Sequence, residues 1–301
     1  MRRLYLALSL VLFSSPLLAQ QDFSAVEVKA QKVAGNVYML TGAGGNIGVS
    51  AGNDGLVVID DQFAPLVPKI EAALRSISDK PVRFIVNTHY HGDHTGGNEQ
   101  MSRLAPIIAQ ENARKRLASG TTALGRQVPP APAAALPVVT FNDTLTLHLN
   151  GEDIRAVHMP HGHTDGDAVI WFTQSNVVHM GDDFFNGAFP VVDLANGGSV
   201  RGMMENVEKV LAKIPDDAKV IPGHGPLSDK AGLRRFLEML RGTTAAVQKA
   251  IAAGKSLDQM KADHVLAQWE EWGKGFVNTD TYTEWVYRDL AASGRTRVTK
   301  Q

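Results

Sequence analysis

The sequence contains no cysteine. No disulfide can therefore stabilise the fold, even in an oxidising compartment, and no metal site in this chain can use thiolate ligands. A metal ion would have to be bound by histidine and carboxylate side chains.

The chain also lacks a strong charge of either sign. Its 30 Lys and Arg residues nearly balance its 31 Asp and Glu residues, which gives a formal net charge of −1. This balance gives no support for binding to nucleic acid or to an acidic membrane, so we expect a small-molecule substrate and no nucleic-acid partner. A hydrophobic content of 44% is ordinary for a globular protein with a proper core.

Long apolar runs are missing from the chain after its N-terminal segment. No later stretch approaches the roughly 18 apolar residues that a membrane span needs. The N-terminal segment itself has Arg2 and Arg3, then the apolar residues 4–12, and then Pro16-Leu17-Leu18-Ala19. This order predicts a signal peptide over residues 1–19, with an uncleaved anchor as the alternative. We expect residues 20–301 to be periplasmic or secreted, with no membrane span after cleavage. The oligomeric state is not predicted.

The most informative segment is His89-Tyr90-His91-Gly92-Asp93-His94, which follows the apolar run Phe84-Ile85-Val86. Four potential metal ligands fall within six residues, at the point where a buried strand should end. The side chains would then converge in one loop. The segment predicts a zinc site.

Periodicity predicts two similar halves. Residues 36–40, 46–51 and 55–59 indicate consecutive antiparallel strands, and residues 65–77 indicate a helix that leads into a strand over 82–86. Further strands are predicted over 145–149, 154–159, 168–172 and 176–180, followed by helices over 200–214, 227–253, 257–272 and 282–290. This layout predicts an α/β fold in which two sheets pack face to face with helices outside.

Two local features of the first half carry predictions of their own. Thr95 should cap the helix after the His-rich motif. Residues 119–137 are rich in Ala, Pro and Gly, which predicts a mobile excursion from the core. Either a substrate-covering loop or a connector between the halves fits this composition.

Three further strand ends deliver His or Asp. Residues 154–159 lead into a loop with His161 and His163, residues 176–180 lead into Asp182 and Asp183, and residues 219–221 lead into His224. Loops at a common edge of the sheets can converge without disturbing the core, which is where such folds place their sites. The spacing alone leaves open which member of the first two pairs is a ligand.

In this ordered set, the chain resembles the metallo-β-lactamase superfamily, whose His-x-His-x-Asp-His motif is followed by a later His, Asp and His. The resemblance implies a four-layer αββα sandwich of two mixed β-sheets flanked by helices, over residues 20–301. The Gly-His-Thr-x-Gly pattern favours His163 over His161, and its place after Gly181 favours Asp182 over Asp183. The implied ligands are His89, His91 and His163 for one metal ion and Asp93, His94 and His224 for the other, with Asp182 bridging the two.

The chemistry of these ligands fits a hydrolase. Neutral imidazoles bind zinc without cancelling its charge, so a water shared by two ions can lose a proton near neutral pH and attack a substrate as hydroxide. Asp93 is the candidate catalytic residue, which would orient the hydroxide and help to move a proton. Two Zn²⁺ ions are expected, although His and Asp ligands also accept iron or manganese. Asp60 resembles the early Asp of the family, which orients ligands through hydrogen bonds.

Departures from the family pattern narrow the function. The absence of cysteine excludes the zinc β-lactamases with a thiolate ligand, and Asp182 as a bridging ligand resembles glyoxalase II and lactonases. His91 stands where flavodiiron oxidoreductases have Glu, which argues against a redox role. We therefore expect an exported dinuclear zinc hydrolase that cleaves a small ester, lactone, thioester or amide. The alternatives are a β-lactamase and a periplasmic metal-binding accessory protein without hydrolytic activity.

The remaining histidines and the large aromatic residues are not predicted to be metal ligands. The histidines outside the motif are expected to have structural or surface roles, and the tryptophans to pack in the core. Four phenylalanines near strand ends could form an apolar wall for a substrate: Phe63, Phe184, Phe185 and Phe189.

Overall fold

A computed structural model describes residues 22–298, with side chains to residue 292. The predicted signal peptide, residues 1–19, lies outside the described residues. The strands of the described part, numbered in chain order, are Lys29–Ala34 (β1), Val37–Thr41 (β2), Ile47–Gly52 (β3), Gly55–Ile59 (β4), Val82–Val86 (β5), Ile107–Gln110 (β6), Thr121–Ala123 (β7), Arg126–Val128 (β8), Val139–Phe141 (β9), Thr144–Leu149 (β10), Glu152–His158 (β11), Ala168–Phe172 (β12), Val177–His179 (β13), Lys219–Ile221 (β14) and Ser228–Asp229 (β15).

The α-helices alternate with these strands. Short 3₁₀ turns also occur at residues 64–66, 133–135, 181–183, 194–196 and 267–274. The α-helices are Val67–Ile77 (α1), Gly92–Thr95 (α2), Asn98–Met101 (α3), Glu111–Ser119 (α4), Val200–Leu211 (α5), Lys230–Ala252 (α6), Leu257–Ala262 (α7) and Thr279–Val298 (α8).

Two mixed sheets account for most of the strands. The first has the order β1-β2-β3-β4-β5-β6-β9, and the second has the order β10-β11-β12-β13-β14-β15. In the first sheet β1 to β4 pair antiparallel and β4, β5, β6 and β9 pair parallel. In the second sheet only β13 and β14 pair parallel. The strands β7 and β8 form a separate antiparallel ribbon.

Alternation along the strands produces four layers, because successive side chains of a strand point to opposite faces of its sheet. In β4, Val57 packs between the sheets with Ile170 of β12, whereas Val58 packs under α1 with Ile70. The outer face of the second sheet is covered by a cluster that includes residues of α5, α6 and α8. The expected αββα sandwich is confirmed.

The polar loops leave the sandwich at one edge. Strands β11 and β13 run in the same direction because each pairs antiparallel with β12, and β14 runs parallel to β13. In the first sheet β4 and β5 run parallel. Strands that run in the same direction end at the same edge of their sheet. The loops after β11, β13 and β14 therefore leave one edge of the second sheet, and the loops after β4 and β5 leave one edge of the first sheet, as the sequence predicts.

The predicted elements agree with most of the observed ones, and several elements differ. Thr95 does not cap the next helix, because its hydroxyl donates to the carbonyls of Tyr90 and His91. The helix predicted over 257–272 ends at Ala262, and a 3₁₀ segment follows it. The sequence also gives no prediction for the strands β1, β6, β9 and β15 or for the helices α2 and α4.

Residues 119–137, which are expected to form a mobile excursion from the core, have regular structure over part of their length. They contain the ribbon β7–β8 and a 3₁₀ turn at Ala133–Ala135. Ala123 and Ala135 are buried, and the carbonyl of Ala135 accepts a hydrogen bond from Asn98. The segment is thus packed against the body of the protein over part of its length. Among the described helices, none combines the length and hydrophobicity that crossing a bilayer requires.

Candidate metal centre

The His-rich motif forms a compact turn at the end of β5. The short helix α2 begins directly after His91, and the backbone N–H groups of His94 and Thr95 both donate to the carbonyl of His91. The Thr95 hydroxyl also donates to the His91 carbonyl and to the carbonyl of Tyr90. This local closure brings the imidazoles of His89 and His94 to a centroid distance of 4.2 Å.

All seven predicted ligand residues meet at the edge of the sandwich. A first group of donor atoms belongs to His89, His91, His163 and Asp182. Nε2 of His163 lies 2.7 Å from Nδ1 of His91 and 3.5 Å from Oδ2 of Asp182. Nε2 of His89 lies 3.8 Å from the same carboxylate oxygen.

A second group belongs to Asp93, His94 and His224. Nε2 of His224 lies 3.2 Å from Oδ2 of Asp93 and 3.4 Å from Nε2 of His94. The other oxygen of Asp182, Oδ1, lies 3.0 Å from His94 and 3.4 Å from His224. Asp182 therefore presents one oxygen to each group, the arrangement that a bridging ligand needs.

The residues present fit a pair of metal ions. Ligands about 2.0–2.1 Å from a tetrahedral zinc ion lie roughly 3.3 Å from each other, close to most of the distances above. Nε2 of His89 is buried and has no hydrogen-bond partner among the described residues. Buried polar atoms are ordinarily satisfied, so this atom indicates a missing partner with positive charge. The specific ligand assignments remain predictions.

In the first group, hydrogen bonds to Nδ1 of two histidines leave the lone pair on Nε2 free to face the site. Nδ1 of His163 lies 2.8 Å from the Val191 carbonyl, which can only accept, so this nitrogen carries the proton and Nε2 is free to bind a cation. Nδ1 of His89 lies 3.0 Å from the Thr88 hydroxyl. That hydroxyl donates to Asp60 and is thus available as an acceptor for His89.

Asp60 supports both groups, as the family resemblance implies. It is fully buried at the end of β4 with a left-handed φ of 65°. Its Oδ2 lies 2.7 Å from Nδ1 of His94 and also accepts from the Thr88 hydroxyl, while its Oδ1 accepts from the Thr88 N–H. One carboxylate thus orients the start of the motif and its last histidine.

The two groups differ in their protonation. Burial lowers the pKa of His163 to about 4 and lowers that of His89 well below its ordinary value, and neighbouring histidines add to the effect at both. Burial opposes protonation of His224 as well, but Asp182 and Asp93 outweigh it and raise the pKa of His224 to about 9. The pKa of His94 is likewise raised, against its burial, by Asp182, Asp93 and Asp60.

The two carboxylates are ionised. Burial opposes this at Asp93, but the charge of His94 and the hydrogen bond from His224 lower its pKa to about 2. The pKa of Asp182 falls well below its ordinary value because His224, His94 and His163 together outweigh its burial. In the second group, protons on the imidazoles therefore supply the positive charge that a metal ion would supply.

His179 joins the two sheets beside the site, which is the structural role among the structural and surface roles expected for the histidines outside the motif. Its Nε2 lies 2.9 Å from the carbonyl of Asn46, and its Nδ1 accepts from the Gly181 N–H. The Asn46 amide in turn donates to the carbonyls of Pro222 and Gly225, on either side of His224. The loop before β3 thus holds the loops of Asp182 and His224 in place.

The residues that compete with the predicted ligands lie outside both groups. His161 is exposed, with Nδ1 near the carbonyl of Gly197. Asp183 is buried and accepts from the His163 backbone N–H and the Asn206 amide, so it supports the ligand loop.

Of the four phenylalanines considered as a substrate wall, Phe185 alone stacks on a predicted ligand. Its ring lies 4.9 Å from that of His224, at an interplanar angle of 21°. Phe184 and Phe189 are buried in the core against α6 and α8, and Phe63 packs on Phe23. The wall is therefore smaller than expected.

Sequence reasoning missed several polar residues around His91. The Tyr90 hydroxyl and Nε2 of His91 both contact Oδ2 of Asp193, and Asn196 donates to the same oxygen. No spacing signal links these residues, because Asp193 and Asn196 lie in an irregular segment about 100 positions after the motif. The buried Tyr90 inside the motif was the one available indication.

Comparison with known proteins places this geometry in a family. The model of the metallo-β-lactamase superfamily matches residues 33–224, more than half of the chain, and the chain belongs to this superfamily. It is 24% identical over 183 residues to a type 2 metallo-β-lactamase of Bacteroides fragilis, covering 58% of this chain and 69% of the relative. It is 29% identical over 203 residues to a hydroxyacylglutathione hydrolase of Polaromonas sp., covering 66% of each.

Solved structures agree on the fold. A metallo-β-lactamase from Pontibacter korlensis superposes with a TM-score of 0.59 at 21% sequence identity, covering 71% of this chain and 99% of that one.

Two clusters of His and Asp side chains at the edge of this fold indicate that the protein binds metal ions.

Gly45 tests how tightly the second group is packed. A Cβ on Gly45 would overlap the imidazole of His94, whereas a Cβ on Gly92 would meet no atom within 4 Å. We expect Gly45→Ala to weaken the binding of one metal ion by at least about tenfold, since displacing a ligand costs as much as losing its support. Gly92→Ala is the matched control and should bind like wild type. Chelator competition with Zn²⁺ measures both, and equal affinities would contradict the expected contact.

The protonation difference predicts unequal proton release. At pH 7 His94 and His224 hold protons that a cation must displace, whereas His89 and His163 are already neutral. One binding step should therefore release about two protons more than the other, and its affinity should rise with pH up to about 9. Calorimetric titration of the metal-free protein with Zn²⁺, in buffers of different ionisation enthalpy, measures this. Equal release in both steps would contradict it.

Proposed function

We propose that the protein is an exported dinuclear zinc hydrolase that cleaves a small ester, lactone, thioester or amide. The observation that carries the proposal is the position of Asp182, whose two oxygens face two separate groups of donor atoms. A site for a single ion would not need this arrangement. The histidine and carboxylate ligands, without any thiolate, suit zinc and also accept iron or manganese.

The donor groups define which residues would hold each ion. His89, His91 and His163 would bind one, Asp93, His94 and His224 the other, and Asp182 both. Two metal ions bound there would polarise a substrate oxygen and lower the pKa of a water molecule towards neutrality.

Asp93 has the properties of a proton acceptor facing the open side of the site. Its side chain is 31% exposed, as is that of His224, whereas those of His94 and Asp182 are buried. An ionised carboxylate accepts hydrogen bonds, so Asp93 can orient a water molecule next to the substrate. Its low pKa makes it a weak base, and its main contribution is therefore orientation.

Phe185 supplies an apolar surface beside this open side. The residue is 6% exposed and its ring stacks on His224, so it excludes water from one flank of that imidazole. A substrate with an apolar group next to its scissile bond would fit such a flank.

A β-lactamase is the second candidate, favoured by the similarity to the Bacteroides fragilis relative. The hydroxyacylglutathione hydrolase relative supports thioester cleavage instead. The predicted signal peptide supports export. Expression of the full chain in a Gram-negative host should yield periplasmic protein that begins at residue 20, measured by intact mass, and retention of residues 1–19 would contradict cleavage.

Hydrolysis is tested with a substrate panel of an aryl ester, a lactone, an acyl thioester and nitrocefin. We expect turnover of at least one of the first three, loss of turnover with a chelator, and its recovery with Zn²⁺. Asp93→Asn should lower kcat about 10²-fold or more, whereas Asp258→Asn, an exposed carboxylate on α7, should not.

Other results of the substrate panel would favour the alternative functions. Turnover of nitrocefin alone would identify a β-lactamase. Two bound metal ions without turnover of any of the four compounds would favour the accessory protein. Full activity of Asp93→Asn would remove the proposed role of that carboxylate.

A further inference from the structure

One carboxylate oxygen of Asp193 accepts hydrogen bonds from three side chains. Its side chain is only 2% exposed, in the loop between Asp182 and α5. Oδ2 lies 2.5 Å from the Tyr90 hydroxyl, 2.7 Å from the Asn196 amide nitrogen and 3.1 Å from Nε2 of His91. An ionised carboxylate can only accept, so Nε2 of His91 carries a proton.

This proton position determines which nitrogen of His91 can bind a metal ion. With Nε2 protonated, Nδ1 of the neutral ring holds the free lone pair, and Nδ1 is the atom 2.7 Å from Nε2 of His163. His89 and His163 approach the site through Nε2 instead. His91 is also the most exposed of the three, at 11%, so packing constrains its ring least.

We propose that Asp193 is a positioning residue for His91, fixing the ring so that Nδ1 serves as the metal ligand. The proposal rests on the proposed function, because it assumes that the first donor group binds a metal ion. Asp193 is not a member of either donor group, and it touches the site through His91.

Asn196 holds the carboxylate in place and ties it to the ribbon. Besides donating to Asp193, its amide nitrogen donates to the carbonyl of Thr122 at 2.9 Å. Its amide oxygen accepts from the hydroxyl of Thr121 at 2.6 Å and from Nη1 of Arg116 at 2.5 Å. The position of β7 is thus transmitted to His91 through two side chains.

Removing the carboxylate would leave three donors without their acceptor and the His91 ring free to rotate. Loss of such a support typically weakens metal binding 10–100-fold.

The test is titration of metal-free wild type and variants with Co²⁺ and Zn²⁺, against a competing chelator. We expect Asp193→Ala to weaken one of two binding steps 10–100-fold, to leave the other unchanged, and to alter the visible Co²⁺ spectrum of the weakened step. Asp193→Asn keeps an acceptor oxygen and should recover part of the lost affinity. It also serves as the test variant if Asp193→Ala does not fold.

The chain offers a matched control in Asp153, an exposed carboxylate 2.7 Å from Nδ1 of His148. Asp153→Ala breaks a similar Asp–His contact away from the site and should leave both binding steps unchanged. Unchanged binding by Asp193→Ala would overturn the proposal. So would equal weakening of both steps together with a lower melting temperature of the metal-free variant, which indicates a structural role. Failure of the wild-type protein to bind two ions would instead refute the proposed function.

Discussion

The structure of the site depends on one buried carboxylate, Asp182, surrounded by imidazoles. Its side chain is 3% exposed, and four of the five predicted ligand histidines lie within 4 Å of it. Burying a carboxylate is costly unless positive charge compensates it. In the metal-free protein, protons on His94 and His224 provide that charge. The same electrostatic demand favours the binding of metal cations by this cluster.

The surrounding sandwich serves to bring distant loops to this carboxylate. Much of this was predictable, because Val82–Val86 and Ala168–Phe172 are apolar runs bounded by turn residues. The positions of the candidate ligands were predictable for the same reason, since each position follows a strand and the first four ligands share one short motif. The strand ends alone left open the choice between His161 and His163 and between Asp182 and Asp183. The prediction that His163 and Asp182, not their neighbours, face the site came from family resemblance, and the structure brings those two into the donor groups.

Most of what the sequence did not predict depends on contacts between distant segments of the chain. Asp193 contacts His91 across 102 positions, and nothing in the local pattern of an irregular loop indicates such a partner. The strands β6 and β9 were missed because they are only four and three residues long and are specified by pairing with neighbours. Thr95 is a good capping residue by type, yet its hydroxyl has nearer acceptors within its own turn.

The glycines that line the metal groups restrict where this protein can vary. A methyl group on Gly45 would overlap His94, one on Gly223 would overlap Asp182, and one on Gly44 would press on the backbone of Asp93. Bare main chain therefore forms the wall on that flank, and it can offer a bound molecule little beyond peptide groups. Diversification towards new substrates must come from other segments around the site, such as the ribbon β7–β8 beside Asn196, where the side chains of β8 are exposed.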